Sequence, residues 1–203
     1  MQRMYGMITM DNWYASREKY RPDYSILANS LIETFNFTSA LDVGSANGFL
    51  IDNFYLKGKT VYGVELSPDS VNYMSIAAKA NTTIGDITEM EKIGDFDLVT
   101  CIEVAEHIDK SKSETLVKSL IKNAKNSIYF TAATPFQGGR GHINCQPHFF
   151  WISLFYRHGF NLDIQLTNQL IEKISGLEMC YWLPMNSLVF SSNKKQSNRR
   201  WLI

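Results

Sequence analysis

The stretch SALDVGSANGFLI, residues 39–51, joins a short apolar run to a loop of small residues. The run ends in an acid, Asp42, and the loop that follows contains Gly44, Ala46 and Gly48. Glycines let a ligand approach the backbone closely, and a helix that begins after such a loop offers unpaired N–H groups to an anion. The stretch therefore predicts a strand, a ligand-binding turn and a helix.

Segments typical of strands and of helices alternate from this stretch to about residue 131. Such alternation is the signature of a parallel sheet whose strands are connected by helices. We expect a Rossmann-like, doubly wound α/β sheet that is mostly parallel. Its predicted strands are ALDV, TVYGVEL, NTTIGDI, DFDLVTCIEV and NSIYFTAATP, and the helices between them are NGFLIDNFYL, SPDSVNYMSIAAKA and SETLVKSLIKNA.

The pattern changes after these strands. The segment FQGGRGHINCQP, residues 136–147, predicts a long loop of glycines and polar residues, and long loops in compact domains are more often functional than idle. HFFWISLFYRHGF is typical of a helix that ends at Gly159. The segments NLDIQL and NSLVFSS predict two further strands that pair antiparallel at one edge of the sheet.

At 203 residues the chain is long enough for one domain with a sizeable core. We expect residues 1–38 to form a short helical cap, residues 39–191 the α/β core and residues 192–203 a basic tail. The N-terminus has no apolar signal segment, and no uncharged apolar run reaches about 18 residues, so we expect no membrane span. The three cysteines are scattered, which fits a reducing compartment. We therefore predict a cytoplasmic protein.

Three details select the ligand of the opening loop. The dinucleotide fingerprint ends in a glycine, and here Phe49 takes that place. Asp42 would repel a pyrophosphate and attract a cationic group. Glu65 ends the second predicted strand about 20 residues further on, where a carboxylate binds ribose hydroxyls. A ligand with a ribose, an ammonium and a carboxylate but no phosphate fits all three details, and S-adenosylmethionine is such a ligand.

At this point the sequence resembles class I S-adenosylmethionine-dependent methyltransferases of the small-molecule type, similar to ubiquinone-pathway O-methyltransferases. The resemblance covers residues 39–160 and rests on LDVGSANG, VYGVELSP, GDI and FDLVTCIEVAEHI, which follow one another in the family's order. It implies that Glu65 binds the ribose and that Asp86 reaches the adenine amino group. The implied cofactor-binding residues are Asp42, Gly44, Ser45, Gly48, Glu65, Leu66, Asp86, Ile87 and Glu103.

The catalytic candidates follow the fourth and fifth predicted strands. The methyl group on a sulfonium is already activated, so the enzyme must mainly orient the acceptor and remove its proton. His107 is a candidate general base near pH 7, and Glu103 stands beside it in EVAEH. His142 lies in the glycine-rich loop, which we expect to close over the acceptor. His148, which starts a helix, is a weaker candidate for substrate contact, and we expect His158 to cap a helix end.

A divalent metal is the open alternative at the same place. Glu103, Glu106 and His107 stand at i, i+3 and i+4, which is one face if the segment is helical. Together with His142 or His148 they could bind a metal. The arrangement resembles the Glu-x-x-Glu-His segment of certain metal-dependent O-methyltransferases, some of which act on small RNAs. Metal-free relatives carry a similar segment that only shapes the site, and we do not favour a metal.

The predicted cap contains a cluster of aromatic and basic side chains in NWYASREKYRPDY, residues 12–24. These side chains could roof the ligand pocket, with Arg17 or Arg21 paired to the methionine carboxylate. Packing over the sheet edge is the simpler interpretation, and we prefer it.

The sequence thus favours transfer of a methyl group to a small-molecule acceptor, at oxygen, by in-line displacement with general-base help. Lys+Arg and Asp+Glu both number 20, so charge disfavours a strongly basic nucleic-acid binder. The alternatives are a metal-assisted RNA 2′-O-methyltransferase and a non-catalytic protein that binds S-adenosylmethionine. N-methylation also stays open, although the chain lacks the Asn/Asp-Pro-Pro-Tyr segment that is typical of base or amide nitrogen acceptors.

Overall fold

The computed structural model describes residues 10–192, with side chains from Trp13 onward. Its centre is a seven-stranded sheet in the order β3-β2-β1-β4-β5-β7-β6. The strands β1 to β5 pair in parallel, and β7 pairs antiparallel with both β5 and β6. Their bounds are Ser39–Val43, Thr60–Glu65, Thr82–Ile84, Phe96–Ile102, Ala124–Thr131, Phe160–Leu162 and Ser187–Ser192. The predicted Rossmann-like sheet and its antiparallel edge are confirmed.

Helices cover both faces of the sheet. Neighbouring residues of each strand point to opposite faces, so each strand contributes side chains to both sides of the core. On β5, Tyr129 packs with helices of one side, whereas Ile128 and Phe130 pack with helices of the other. The first side is covered mainly by α2, α3 and α7, and the second by α5 and α6. The helices α1 to α8 span Met10–Ser16, Arg21–Phe35, Phe49–Leu56, Ile76–Ala80, Ser113–Asn123, His148–Arg157, Ile164–Ile174 and Leu183–Asn186.

The described part of the predicted cap is helical and consists of α1, a 3₁₀ turn at Arg17–Tyr20 and α2. The domain boundaries remain a prediction, and the basic tail lies outside the described residues except for its first residue, Ser192. Between residues 10 and 192, no helix is both long and apolar enough to cross a bilayer.

Two predicted elements differ from the structure. In NLDIQL only the beginning is a strand, because the Asp163 carboxylate accepts a hydrogen bond from Leu166 N and starts α7. Leu166, Leu170 and Ile174 repeat every four residues and bury one face of that helix. SPDSVNYMSIAAKA does not form one helix, since Ser75 caps a new start and divides it into the 3₁₀ segment Pro68–Tyr73 and the short α4.

A buried carboxylate ties the segment before β7 to the cap. Asp23, in the first turn of α2, accepts hydrogen bonds from the N–H groups of Met179 and Cys180, both at 2.7 Å. These bonds hold the chain that leads into α8 against the N-terminal helices. As a result, residues distant in sequence from the predicted site come to stand beside it.

We expect Asp23→Ala to lower the free energy of unfolding by about 2–3 kcal/mol, because two N–H groups lose a charged acceptor. Urea unfolding measures the change. Glu33→Ala is the matched control on the same helix: it removes an exposed partner of Lys173, and exposed ion pairs contribute little. Equal effects of the two substitutions would show that Asp23 does not anchor this segment.

Candidate active site

A cavity of about 900 Å³ opens beyond the carboxyl ends of β1, β2 and β4. Ligands of open α/β sheets bind at this edge, where the strand order reverses. One wall comes from the cap, a second from residues 137–142 of the long loop and a third from residues 180–185. The loop wall was predicted, and the cap wall was the alternative that we did not prefer. The third wall was not predicted, because no local motif marks the segment that Asp23 holds in place.

The glycine turn after β1 has backbone angles that most residues avoid. Gly44 has φ +78° and Gly48 has φ +74°, which glycine adopts at little cost. A Cβ on Gly44 would lie 2.3 Å from a methyl group of Val104. Gly44 and Ala46 line the cavity, whereas Ser45 and Gly48 are buried beside it. The turn therefore brings backbone to the cavity surface.

Glu65, at the end of β2, connects this turn to the cap. Its Oε2 accepts a hydrogen bond from Ala46 N at 2.8 Å, and its Oε1 accepts from Ser67 N at 3.0 Å and from the Tyr14 hydroxyl at 3.3 Å. Glu65 and the exposed Leu66 both line the cavity. Glu65 thus stands where the sequence predicts the ribose ligand, and it also organises the loop around that position.

Asp86 and Ile87 line the same end of the cavity. Burial would raise the pKa of Asp86, but hydrogen bonds from the Thr88 hydroxyl and N–H, together with the Lys112 charge, lower it. Asp86 therefore remains an anionic hydrogen-bond acceptor, which suits the predicted contact with an adenine amino group.

Asp42 lies at the end of β1 but does not line the cavity. The Thr100 hydroxyl donates a hydrogen bond to it at 2.7 Å. Burial raises the pKa of Asp42 to about 6. Asp42 is therefore not placed to make the direct contact with a ligand ammonium that the sequence predicted.

Glu103 follows β4 in a left-handed conformation, with φ +54°. Its N–H donates to the Thr131 carbonyl oxygen at 3.2 Å, and its carboxylate accepts from the Asn186 amide at 3.1 Å. Only Ala105–His107 forms a short 3₁₀ turn. The condition for Glu103, Glu106 and His107 to share one helix face is therefore not met, because Glu103 is left-handed and precedes the short turn.

His107 lines the cavity and contacts the long loop. Its Nδ1 lies 3.1 Å from the Gly141 carbonyl oxygen, and its ring meets the His142 ring edge to face at a centroid distance of 5.0 Å. The residue is exposed overall, and desolvation by the surrounding cavity walls still lowers the pKa of His107. The structure thus brings together His107 and His142, two candidate residues from separate segments that the sequence analysis paired only in the metal alternative.

Glu106 is buried beneath these rings, and its Oε1 lies 4.0 Å from His142 Nε2. Neither carboxyl oxygen has a hydrogen-bond partner of normal geometry. Burial, followed by the charge of Glu103, raises the pKa of Glu106 to about 8. Candidate metal-ligand atoms of Glu106, His107 and His142 all lie within 4.8 Å of one another.

Two other predicted ligands of a metal lie apart from this group. Glu103 lines the cavity but does not belong to the set of close ligand atoms, and His148 does not line the cavity. His158 ends α6, where its Nε2 lies 3.0 Å from Glu114 Oε1. His158 thus lies at the end of a helix, as the sequence predicted.

The aromatic cluster of the cap lines the cavity, which is the alternative that we did not prefer, and Tyr20 and Tyr24 also pack against the core. Arg17 belongs to this roof. Arg21 does not, since it pairs with Glu18 at 2.8 Å and with Asp52 at 3.5 Å. The aromatic residues that line the roof are Trp13, Tyr14, Tyr20 and Tyr24.

The family model described as a methyltransferase domain matches residues 41–125. Magnesium protoporphyrin IX methyltransferase from Synechocystis PCC 6803, solved with bound SAH, is similar at a TM-score of 0.63 and 15% identity, covering 95% of this chain and 89% of that one. A SAM-dependent methyltransferase from Archaeoglobus fulgidus is similar at a TM-score of 0.61 and 16% identity, covering 89% and 98%. No curated protein matches the chain.

Residues 41–125 match a methyltransferase domain, and the strand order and the turn at the end of β1 are those of the class I S-adenosylmethionine-dependent methyltransferase fold. The methyl donor of this class is S-adenosylmethionine. The likeness to the solved structures concerns the fold, so the narrower resemblance to ubiquinone-pathway enzymes stays a prediction.

We expect Glu65→Ala to weaken the binding of S-adenosylhomocysteine by about 2 kcal/mol, because a bidentate acceptor for the ribose hydroxyls is lost. Isothermal calorimetry measures the affinity. Asp69→Ala is the control, since it removes an exposed carboxylate from the segment that follows the same strand. Unchanged affinity in the Glu65 variant would exclude the predicted ribose contact.

Proposed function

We propose that this enzyme transfers the methyl group to an oxygen atom of a small-molecule acceptor, with His107 as the general base. The observation that carries this proposal is the contact between His107 Nδ1 and the Gly141 carbonyl oxygen. A carbonyl oxygen only accepts hydrogen bonds, so the contact requires the hydrogen on Nδ1. The lone pair of Nε2 is then free to accept a proton.

Electrostatics support the same role. Although His107 is exposed at the cavity, desolvation by the surrounding walls lowers its pKa, so the imidazole is neutral at pH 7 and able to accept a proton. An acceptor hydroxyl beside Nε2 would lose its proton to the ring while its oxygen attacks the methyl carbon opposite the carbon–sulfur bond. That bond breaks, and S-adenosylhomocysteine leaves with the electron pair on sulfur. Orientation can contribute about 7–11 kcal/mol, and a general base about 10²–10⁴-fold.

The walls of the cavity support a compact acceptor. Its volume of about 900 Å³ lies within the range of small-molecule sites, about 300–1,000 Å³. The long loop contributes Gly138, Gly139 and Gly141 beside His142, and a Cβ on Gly139 would lie 2.1 Å from the His142 ring. Glycine at this position therefore permits His142 to lie against the loop backbone and close one side of the reaction centre.

We expect His107→Ala to lower turnover by about 10²–10⁴-fold with little change in the affinity for S-adenosylhomocysteine. Wild-type turnover should rise with pH through a value below the usual histidine pKa of about 6.5 and then level off. Turnover rises with pH because only the deprotonated imidazole accepts a proton from the acceptor. The variant should lose this acid limb.

The assay follows S-adenosylhomocysteine release with the best acceptor from a panel of phenols and catechols. His158→Ala is the control, because His158 lies at the far end of α6 and does not line the cavity. A parallel loss of turnover and of cofactor affinity in the His107 variant would assign His107 a structural role instead.

A metal-assisted form of the same reaction is the second candidate. The close ligand atoms of Glu106, His107 and His142 favour it, as do the unpartnered oxygens of the buried Glu106. One carboxylate and two imidazoles suit a divalent transition metal. When bound, such a metal would act as a Lewis acid that lowers the pKa of the acceptor hydroxyl. An RNA 2′-hydroxyl is one such acceptor, and the balanced charge of the chain disfavours it.

Metal removal separates the two candidates. If a metal is required, EDTA should abolish turnover, Mn²⁺ or Zn²⁺ should restore it, and Glu106→Gln should weaken metal binding in calorimetry with the free enzyme. Asp109→Asn, an exposed acid close in sequence, is the matched control. Full turnover in EDTA together with undetectable Mn²⁺ and Zn²⁺ binding would exclude the metal-assisted candidate.

A further inference from the structure

Asn144 is the buried residue of a loop that is otherwise open to solvent. Within residues 136–147, all of which the structure describes, no other residue is buried, and Asn144 is 1% exposed. Asn144 does not line the cavity, although residues 137–142 of the same loop do. A polar side chain removed from water costs free energy unless its atoms are hydrogen-bonded, so the partners of this amide show what its burial achieves.

The Asn144 amide connects the loop to two other elements. Its Nδ2 donates to the Ala105 carbonyl oxygen at 3.3 Å and to the Ser113 hydroxyl at 3.0 Å. Its Oδ1 accepts a hydrogen bond from Gln146 Nε2 at 3.0 Å. Ala105 begins the short 3₁₀ turn that contains His107, and Ser113 begins α5. The side chain therefore fixes the end of the loop on the turn and on the helix that follows it.

Backbone contacts extend this connection toward His107. The Glu106 carbonyl oxygen accepts hydrogen bonds from Ile143 N at 2.9 Å and from Asn144 N at 3.0 Å. Two residues before Ile143, the Gly141 carbonyl oxygen lies 3.1 Å from His107 Nδ1. Gly141 has φ +75°, and a Cβ at this position would lie 3.3 Å from the same ring nitrogen. The loop thus approaches the His107 ring closely over a short segment that ends at Asn144.

We propose that Asn144 is a positioning residue for the methyl transfer. By fixing the end of the loop on the 105–107 turn, it keeps the Gly141 carbonyl oxygen against His107 Nδ1. This oxygen holds the hydrogen on Nδ1 and leaves the lone pair of Nε2 free. The inference rests on the proposed function, since it assumes that His107 is the base. A displacement of about 1 Å at a reacting group can lower turnover by about 100-fold.

The variant Asn144→Ala tests the proposal in two assays of the full chain, turnover and the affinity for S-adenosylhomocysteine. The substitution removes both contacts of Nδ2 and leaves the backbone bonds to Glu106, so turnover should fall by about 10- to 100-fold. The affinity for S-adenosylhomocysteine should be unchanged, because the side chain of Asn144 bonds to the 105–107 turn, to α5 and to Gln146 and not to the predicted cofactor end.

Asn123→Ala is the matched control, because Asn123 is also a buried amide that holds a loop. Its Oδ1 accepts hydrogen bonds from Ile93 N at 2.8 Å and from Gly94 N at 3.2 Å, and its Nδ2 donates to the Ser119 carbonyl oxygen at 2.8 Å. This loop precedes the start of β4, at the edge of the sheet opposite the cavity. Thermal unfolding should show a loss of stability in both variants, whereas Asn123→Ala should keep wild-type turnover.

Nitrogen NMR of the free enzyme supplies a readout that a loss of stability alone does not change. The chain has four histidines, and the spectrum of His107→Ala assigns the His107 signals by difference. With neutral rings, the hydrogen of His107 should be on Nδ1 in wild type and in Asn123→Ala. In Asn144→Ala a measurable share should move to Nε2, because the Gly141 carbonyl oxygen is no longer held against Nδ1.

A folded Asn144→Ala with the wild-type His107 tautomer would overturn the proposal, as would an equal loss of turnover in Asn123→Ala. If Asn144→Ala does not fold, Ser113→Ala decides in its place. It removes one contact of Nδ2 and should shift the His107 tautomer in the same direction by a smaller amount, and an unchanged tautomer would overturn the proposal. Full turnover in His107→Ala would instead refute the base, whereas the tautomer measurement tests the anchor without any turnover.

Discussion

The turn between β1 and α3 is held by the neighbouring strand, and the rest of the site depends on that connection. The N–H groups of Gly44 and Ser45 donate to the Val64 carbonyl oxygen at 2.8 and 3.1 Å, and Ala46 N donates to the carboxylate of Glu65. These bonds satisfy a backbone that is buried and partly left-handed. Because the turn cannot relax away from β2, the cavity begins at a fixed edge.

Charge is distributed unevenly around that cavity. Burial raises the pKa values of Asp42 and Glu106, to about 6 and about 8, so ionising either carboxyl costs more free energy than it does in water. Arg17 has no acidic partner among the described side chains. A methyl donor with a sulfonium, an ammonium and a carboxylate carries charges of both signs. A cationic group of such a donor, bound nearby, would favour the ionised form of these carboxyls.

The sheet and the cofactor end could be predicted because their signals are local. Strand-ending acids and a glycine turn follow one another at fixed spacing in β1 and β2, and the carboxyl ends of parallel strands share one edge. The proposed reaction centre could be predicted only in part. His107 and His142 were chosen from their positions after strands and both line the cavity, but the spacing in EVAEH suggested a helix. The left-handed Glu103, bonded to Thr131, changes the geometry there.

The sequence by itself determined the succession of strands and helices along the chain, the glycine turn and the nature of the methyl donor, because each depends on residues that are close along the chain. Only the tertiary structure decided which side chains roof and close the cavity. Arg17 enters it while Arg21 turns outward, and Trp182 reaches it because Asp23 anchors a segment more than a hundred residues away. Such contacts depend on which buried N–H groups find acceptors after the helices pack, and no local pattern encodes that outcome.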